Sequence, residues 1–223
     1  MCGRYLTDEE TYADIWEMTS AATQAINLSR SSVVAAQPPA RTTGAVVPTG
    51  ISSLSTLPRG EVFPANIAPI ITNDGAEAVK WGFPHWKGAG VIINARSETA
   101  AEKSMFRKPL LERRCVIPSS GFFEWDRVSG KKKKDKYLLR RPGEHVLFMA
   151  GMINTFRDAD GQDYSAFVIL TTAANSSVAP IHDRMPVILA LDERDRWLSD
   201  NRFMEYALHR PGPELDRTYI AEL

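Results

Sequence analysis

With 223 residues, 43% of them hydrophobic and 24% charged, the chain is long enough for one substantial core or two small ones and has the balance of an ordinary soluble globular protein. Its 27 basic and 27 acidic residues cancel, which excludes a global basic field and confines any nucleic-acid binding to a local patch. Two cysteines far apart, Cys2 and Cys115, lack CxxC or CxxxH spacing; this argues against a disulfide scaffold or a zinc site, fits a reducing compartment, and leaves no cofactor or metal expected.

The chain opens Met1-Cys2-Gly3-Arg4. If Met1 is removed, Cys2 becomes a 1,2-aminothiol whose α-amine, with a reference pKa of roughly 7.7–8.0, is partly unprotonated at neutral pH. Such an amine condenses with an aldehyde to an imine, and the adjacent sulfur closes a five-membered thiazolidine on it. Most Met-Cys starts carry no chemistry, so the rest of the chain must decide. Thr7-Asp8-Glu9-Glu10 has the form of a capping box, and Tyr12, Ile15 and Trp16 follow at helical spacing, predicting a helix over about 8–25. The acidic residues of this stretch also exclude a secretory signal peptide, and no apolar run approaches membrane-spanning length. A soluble, cytoplasmic protein that is nucleoid-associated when bound to DNA is expected.

Residues 28–60, rich in Ser, Thr, Ala, Pro and Gly, read as a long surface loop or flexible insertion within a single domain over 1–223. Beyond it, Ala78–Trp81, Val91–Ile93, Cys115–Ile117, Phe122–Trp125, Tyr137–Arg140, Val146–Met152, Ala166–Leu170 and Val187–Ala190 read as short strands between turn signals. A helix is expected over about 98–113, interrupted near Pro109, and another over about 192–199 with Trp197 facing inward. Many short strands with few helices indicate an α+β fold around a curved, barrel-like, mostly antiparallel sheet. Lys131–Lys134 is most simply a solvated hairpin turn.

Several polar groups ask for a reason. Asn94-Ala95-Arg96-Ser97-Glu98 follows a strand and lies where sites are commonly presented, or else is a turn and helix cap. Glu124 is embedded in Gly121-Phe122-Phe123-Glu124-Trp125. Burial beside rings would raise its pKa into the range of a neutral-pH acid or base, whereas strand alternation, which puts Phe123 and Trp125 on the opposite face, allows a solvent-facing position. His182 sits in the polar loop Ala179-Pro180-Ile181-His182-Asp183-Arg184-Met185-Pro186, fit to move protons or hold a phosphate, or simply structural. The loop Trp81-Gly82-Phe83-Pro84-His85-Trp86, followed by Lys87, suits base stacking, though loop tryptophans more often pack on a core.

Taken in order, Met1-Cys2-Gly3-Arg4, Asn66-Ile67-Ala68-Pro69, Trp81-Gly82, Asn94-Ala95-Arg96-x-Glu98-Thr99, Arg114-Cys115-x-x-Pro118 with Gly121–Trp125, and Ile181–Pro186 resemble the SOS response-associated peptidase family, whose members act at abasic sites in single-stranded DNA. The resemblance covers about residues 1–8 and 61–191. It implies an α+β domain with a barrel-like core and a basic groove leading to Cys2, acting as a monomer on single-stranded DNA that contains abasic sites. It implies that Cys2 traps the sugar aldehyde, Asn94 holds the crosslink region, Glu124 serves as acid and base, and His182 helps open the sugar or move protons. Arg4, Arg96 and Arg184 would contact phosphates, the Trp81 loop would wedge or stack on bases, and Asn66, Pro69, Gly82 and Trp125 would complete the DNA-binding set. The peptidase label would amount at most to removal of Met1. Two departures stand out: the loop 28–60 is longer than the pattern suggests, and the region after about 191 lacks a Val-Asn-rich stretch, which bears on the closing strand of the barrel. Two other functions compete, a cysteine peptidase with an amino-terminal nucleophile and a non-enzymatic single-stranded DNA binding module.

Overall fold

The computed structural model describes residues 2–15, 17, 57, 59–85, 88 and 90–221. Its two longest strands grow from the longest apolar stretches. Leu147–Arg157 (β11) and Asp163–Ala173 (β12) pair antiparallel from Gly151↔Ile169 to Arg157↔Asp163. Ile67–Thr72 (β3), Gly75–Trp81 (β4) and Arg114–Ser119 (β8) complete a ring. In it β12 pairs β4 in parallel, β4 pairs β3, β3 pairs β8, β8 pairs β11, and β11 returns to β12. The result is a closed five-stranded barrel, and closure removes the edges that an open sheet would have to protect. Near the carboxyl end of β12, Asn94–Arg96 (β7) and Arg184–Pro186 (β13) add to it, and Ile188–Leu189 (β14) adds to β11. Phe83–Pro84 (β5) and Val91–Ile92 (β6) form a small separate pair.

A second sheet runs in the order Asp216–Ile220 (β15), Lys136–Arg140 (β10), Gly121–Trp125 (β9), Tyr5–Thr7 (β1) and Gly60–Val62 (β2). The region after 191 supplies β15, which pairs along the whole of β10 in this second sheet, while the barrel closes without a strand from it. The fold is α+β, as the pattern of short strands indicated. Period-two alternation divides the core. Ile70, Val79, Ile117, Met149 and Ile169, one from each barrel strand, share a cluster with Cys2, Tyr5 and Phe122 of the amino-terminal segment and second sheet. Their neighbours Val116, Ala150, Val168 and Leu170 face the other way, against Phe106, Trp197, Phe203 and Leu208 of the helices. The crowded interior explains Gly151: a Cβ there would lie 2.3 Å from Ile117 Cδ1 and 2.7 Å from the Val168 carbonyl oxygen.

The helices differ from expectation in instructive ways. The first (α1, residues 9–15) is capped by Asp8, whose Oδ1 accepts the Thr11 amide at 3.0 Å. Thr7 is not the cap, because it is held in β1 opposite Gly60. Residues 16 and 18–25 of the predicted helix lie outside the described residues, as do 28–56 and 58 of the expected insertion. The segment 98–113 is two helices, Ser97–Ala100 (α2) and Ser104–Glu112 (α3). The break falls at 101–103, where the Thr99 carbonyl takes the amides of both Glu102 and Lys103, and not at Pro109. Pro109 stays inside α3, where it is buried with Phe106 and Leu110, so apolar packing offsets the hydrogen bond that proline cannot donate. Arg194–Ser199 (α4) carries the inward Trp197, and Asn201–His209 (α5) follows behind the Asp200 cap. No helix among the described residues is long and apolar enough to cross a membrane.

Arg114 ties these helices to the barrel. Its buried guanidinium donates to the carbonyls of Leu110 at 2.9 Å and Leu111 at 3.2 Å at the end of α3, to that of Leu198 at 3.3 Å and that of Trp197 at the end of α4, and to Asn201 Oδ1 at 2.8 Å. Carbonyls at helix ends lack intrahelical partners and carry the negative end of the helix dipole, so one cation satisfies two termini. Arg114→Met keeps most of the stem and leaves these carbonyls buried without donors, at a cost of about 1–3 kcal/mol for each left unsatisfied. Urea unfolding should show a loss of at least about 2 kcal/mol, against less than about 0.5 kcal/mol for an exposed control such as Arg202→Met. Equal losses would mean that the bonds add nothing net.

Candidate active site at Cys2

Cys2 lies in no helix or strand of its own, and β1 supplies the anchor. Tyr5 pairs with Phe122, and the Phe123 amide donates to the Arg4 carbonyl at 2.9 Å. Cys2, just before this register begins, is fully buried in the cluster that holds Tyr5 and Phe122, near enough to Glu124 for its charge to bear on the thiol. Alternation then settles the face of Glu124: it shares the inner face with Phe122 and is only 2% exposed, while Trp125 lies on the other face and is half-buried. The solvent-facing alternative for Glu124 is excluded.

Asn94 comes from β7, aligned by its parallel pairing with Ile169 of β12. Its Nδ2 donates to the Cys2 carbonyl at 2.9 Å, and its buried Oδ1 has no hydrogen-bond partner among the described residues. His182 arrives from the loop before β13. That loop is pinned by its own turn, in which the Val178 carbonyl accepts the amides of Ile181 and His182, and by the Arg127 amide, which donates to Ile181 at 2.9 Å. His182 Nδ1 accepts the Arg184 amide at 2.9 Å, and Nε2 lies 3.7 Å from Glu124 Oε2. Three distant segments therefore converge on Cys2.

Burial governs the protonation states here. It pushes the Cys2 thiol well above its ordinary value, with the Glu124 charge adding in the same sense, so the sulfur is a thiol at neutral pH. It raises Glu124 above the usual carboxylate range and draws His182 down to about 4. The His182–Glu124 approach is therefore no ion pair at neutral pH. It is a contact between a neutral imidazole and a carboxyl group whose pKa burial raises. Among the described residues no cluster of His, Cys, Asp and Glu could hold a metal ion.

The other expected residues divide sharply. Arg4 lies beside the site with its guanidinium sandwiched 4.3 Å from the Phe63 ring and 4.9 Å from that of Trp125, and pairs with Glu61 at 3.1 Å. Lys136 also binds Glu61 and sits 4.2 Å over Phe123. Burial alone would raise Glu61, but Lys136 and Arg4 hold it below its ordinary value. Sequence reading missed Glu61 and Lys136, which come from strands far apart in the chain. Arg184 gives both terminal nitrogens to Glu98, at 2.6 and 2.8 Å. Arg96 is exposed on a groove of about 770 Å³ lined by Ile92, Asn94, Thr99, Lys103 and Phe106; of the three expected phosphate-binding arginines it is the one facing open space. Trp81 corrects an expectation. It is fully buried, 5.1 Å from the Tyr5 ring and stacked on Phe167, with Nε1 donating to Ile93 at 3.0 Å. It is a core residue and cannot wedge between bases; Trp86 and Lys87 of the same loop lie outside the described residues. Gly82 turns the chain at a φ of +114°, where a Cβ would lie 2.7 Å from Val91 Cβ, and Pro69 is buried in β3 opposite Ala78. These two position backbone. Asn66 closes a turn, its Oδ1 accepting the Phe63 amide at 3.0 Å.

The family model for "SOS response associated peptidase (SRAP)" matches residues 1–217. The abasic site processing protein YoqW of Bacillus subtilis is 37% identical over 158 residues, covering 64% of this chain and 70% of its own. The abasic site processing protein YedK of Escherichia coli is 36% identical over 124 residues, covering 55% and 54%. A solved structure of a protein from Bacteroides thetaiotaomicron superimposes with a TM-score of 0.66 at 28% identity, over 76% of this chain and 82% of that one.

His182 makes the site sensitive to acid. Its pKa, near 6.5 in an unfolded chain, is lowered to about 4 in the folded one. Its contribution to stability is therefore intact above pH 6.5 and is lost as the pH falls from there toward 4, because the unfolded state binds the proton first. Glu124, raised on folding, acts oppositely, favouring the folded state most below its unfolded pKa. Comparing urea midpoints of the wild type and His182→Asn at pH 7.5 and 4.5 isolates the histidine: the variant should lose less on acidification. A parallel fall would show that His182 titrates normally.

Proposed function

The chain belongs to the SOS response associated peptidase (SRAP) family, and from that premise we propose that it processes abasic sites in single-stranded DNA by trapping the open-chain sugar aldehyde on Cys2, shielding the lesion in a covalent crosslink. The observation that carries this reading is the convergence of Asn94, Glu124 and His182 on Cys2. With Met1 removed, the Cys2 amine adds to the aldehyde carbon, and the resulting carbinolamine expels its hydroxyl as water to leave an imine. The thiol then adds to the imine carbon while its proton passes to nitrogen, closing a thiazolidine with the net loss of one water. Glu124, whose pKa burial raises, donates to the departing hydroxyl, and its carboxylate recovers a proton from the iminium nitrogen as the neutral imine forms. His182, neutral with Nε2 toward Glu124, relays protons between that carboxyl and the sugar. The Asn94 amide fixes the Cys2 carbonyl and with it the direction of the amine.

The state of the sulfur supports an order of events. A buried thiol with a raised pKa is a poor first nucleophile, so the amine reacts first and sulfur follows by ring closure. The same fact weighs against a cysteine peptidase, which needs a thiolate or an adjacent base with a matched pKa. The strand would follow the groove past Arg96 and Lys103 to Asn94. Arg4 and Arg184, each already paired with a carboxylate, would serve it only after exchanging partners.

Three measurements test this. Intact mass should show protein lacking Met1 and, with a single-stranded oligonucleotide carrying one abasic site, a covalent adduct lighter by one water than the sum of its parts. Cys2→Ser should not form the stable ring, and a normal crosslink in protein that retains Met1 would refute the mechanism. Glu124→Gln should bind the oligonucleotide normally but crosslink about 10²–10⁴-fold more slowly, with the acidic limb of its pH–rate profile flattened; an unchanged profile would return the proton work to His182. Arg96→Ala should weaken binding to intact and abasic strands alike and lower the log–log salt slope by roughly 0.7. A slope equal to the wild type's would take Arg96 off the strand's path.

A further inference from the structure

We propose that Glu98 is a positioning residue for His182, its fork to Arg184 selecting the tautomer that presents Nε2–H to Glu124. The proposal deepens the proposed function and rests on it only for the role of His182 as a proton carrier. The imidazole has two neighbours at Nδ1 that cannot both be served. The Arg184 amide lies 2.9 Å away and needs a lone pair there, whereas Asp183 Oδ1, 3.0 Å away, needs a proton there. A neutral imidazole has one of each, so the choice at Nδ1 dictates what Nε2 shows to Glu124, 3.7 Å away. If Arg184 wins, Nε2 carries the proton; if Asp183 wins, Nε2 carries the lone pair.

The contest is unequal because one contestant is anchored. The Asp183 side chain is 84% exposed, so water can satisfy its carboxylate. Arg184 is only 12% exposed and is clamped: Nη1 and Nη2 donate to Glu98 at 2.6 and 2.8 Å, and Nη2 also donates to the Thr171 carbonyl at 2.6 Å. The clamp spans two strands that flank the same end of β12, where Thr171 pairs with Arg96 and Ala173 with Arg184. Glu98 lies two residues beyond Arg96 and four beyond Asn94, so the same ion pair ties the Asn94 segment to the His182 loop. The charged and titratable groups facing the imidazole are Glu124 from β9, Arg127 just beyond it, the amino terminus, and Asp183 and Arg184 from its own loop. Of these, Arg184 alone is held by a bidentate partner on another element, and a bidentate guanidinium–carboxylate fork fixes orientation as well as distance.

The test reads the tautomer directly, without DNA. In the full chain labelled with ¹⁵N-histidine at pH 7, the His182 signals, assigned by their loss in His182→Asn, should show Nδ1 unprotonated and Nε2 protonated. Glu98→Gln keeps the shape and removes the charge. It should shift the ratio of Nδ1–H to Nε2–H about tenfold toward Nδ1–H, the size of one net hydrogen bond, and slow crosslinking to a comparable degree at unchanged pH optimum of DNA binding. If Glu98→Gln fails to fold, Arg184→Lys, which loses the fork but keeps the charge, reads the same ratio. Reversing the pair, Glu98→Arg with Arg184→Glu, should restore the wild-type ratio. A ratio unmoved in folded Glu98→Gln or Arg184→Lys overturns the proposal. If the ratio moves as expected while wild-type protein forms no crosslink, the positioning stands and the proposed function falls.

Discussion

Three residues of strand, Tyr5 to Thr7, carry the geometry of the whole site. Cys2 lies in no helix or strand of its own that would fix its direction. It gains one only because β1 threads between β9 and β2, with backbone bonds from Phe123 to Arg4 and from Ser120 to Leu6. That pairing sets the register, and in a strand the register sets the face. A slip by one residue would carry Glu124 to the outer face, among the Arg4, Lys136 and Glu61 charges, and bring Trp125 or Phe123 to the thiol. The layered stack of Phe63, Arg4, Trp125, Lys136 and Phe123 braces this arrangement from the outer side. Its cations are shared between ring faces and the Glu61 carboxylate, and such contacts gain strength where water is partly excluded.

Burial does double work at Cys2. The cluster that stabilises the barrel end also supplies the low-dielectric surroundings that raise Glu124 and the thiol and lower His182. Desolvation by that core is the largest cause of each shift, and charged neighbours add smaller ones. Holding a carboxyl group in such a place opposes folding at neutral pH, and a closed barrel with an extensively packed exterior provides the surplus that tolerates it. Local rules broken at one place and met everywhere around it are what a functional site in a stable scaffold looks like.

Much of this was legible in the chain. The β-branched and aromatic runs gave most of the strands because their burial on both faces forces continuous apolar sequence. Cys2, Asn94, Glu124 and His182 each stood in a short motif whose order indicated the family. What the chain could not reveal was long-range. No local pattern says that β1 pairs with β9, which decides between the two faces open to Glu124. Nothing near Trp81 distinguishes a base-stacking loop residue from one locked between Tyr5 and Phe167. Arg114 looked like part of a motif and proved to be the link between two helix ends and the barrel, because its partners lie 83 or more residues on at Trp197, Leu198 and Asn201. Helix α5 is a different kind of miss. Asp200 followed by Phe203, Met204, Ala207 and Leu208 is a cap and an amphipathic face, and the signal was there to be read.

The closing seam of the barrel has a consequence in time. The pairing of β4 with β12 joins Lys80 to Ala166. Contacts so far apart in the chain form late in folding, because the entropy of closing the intervening loops must be overcome first. β7 and the His182 loop are both aligned on the end of β12, so Asn94 and His182 cannot meet Cys2 until that seam is shut. On the proposed function, a newly made or partly unfolded chain would therefore hold Cys2 apart from Asn94 and His182. Completion of the fold would then itself be the step that arms the site.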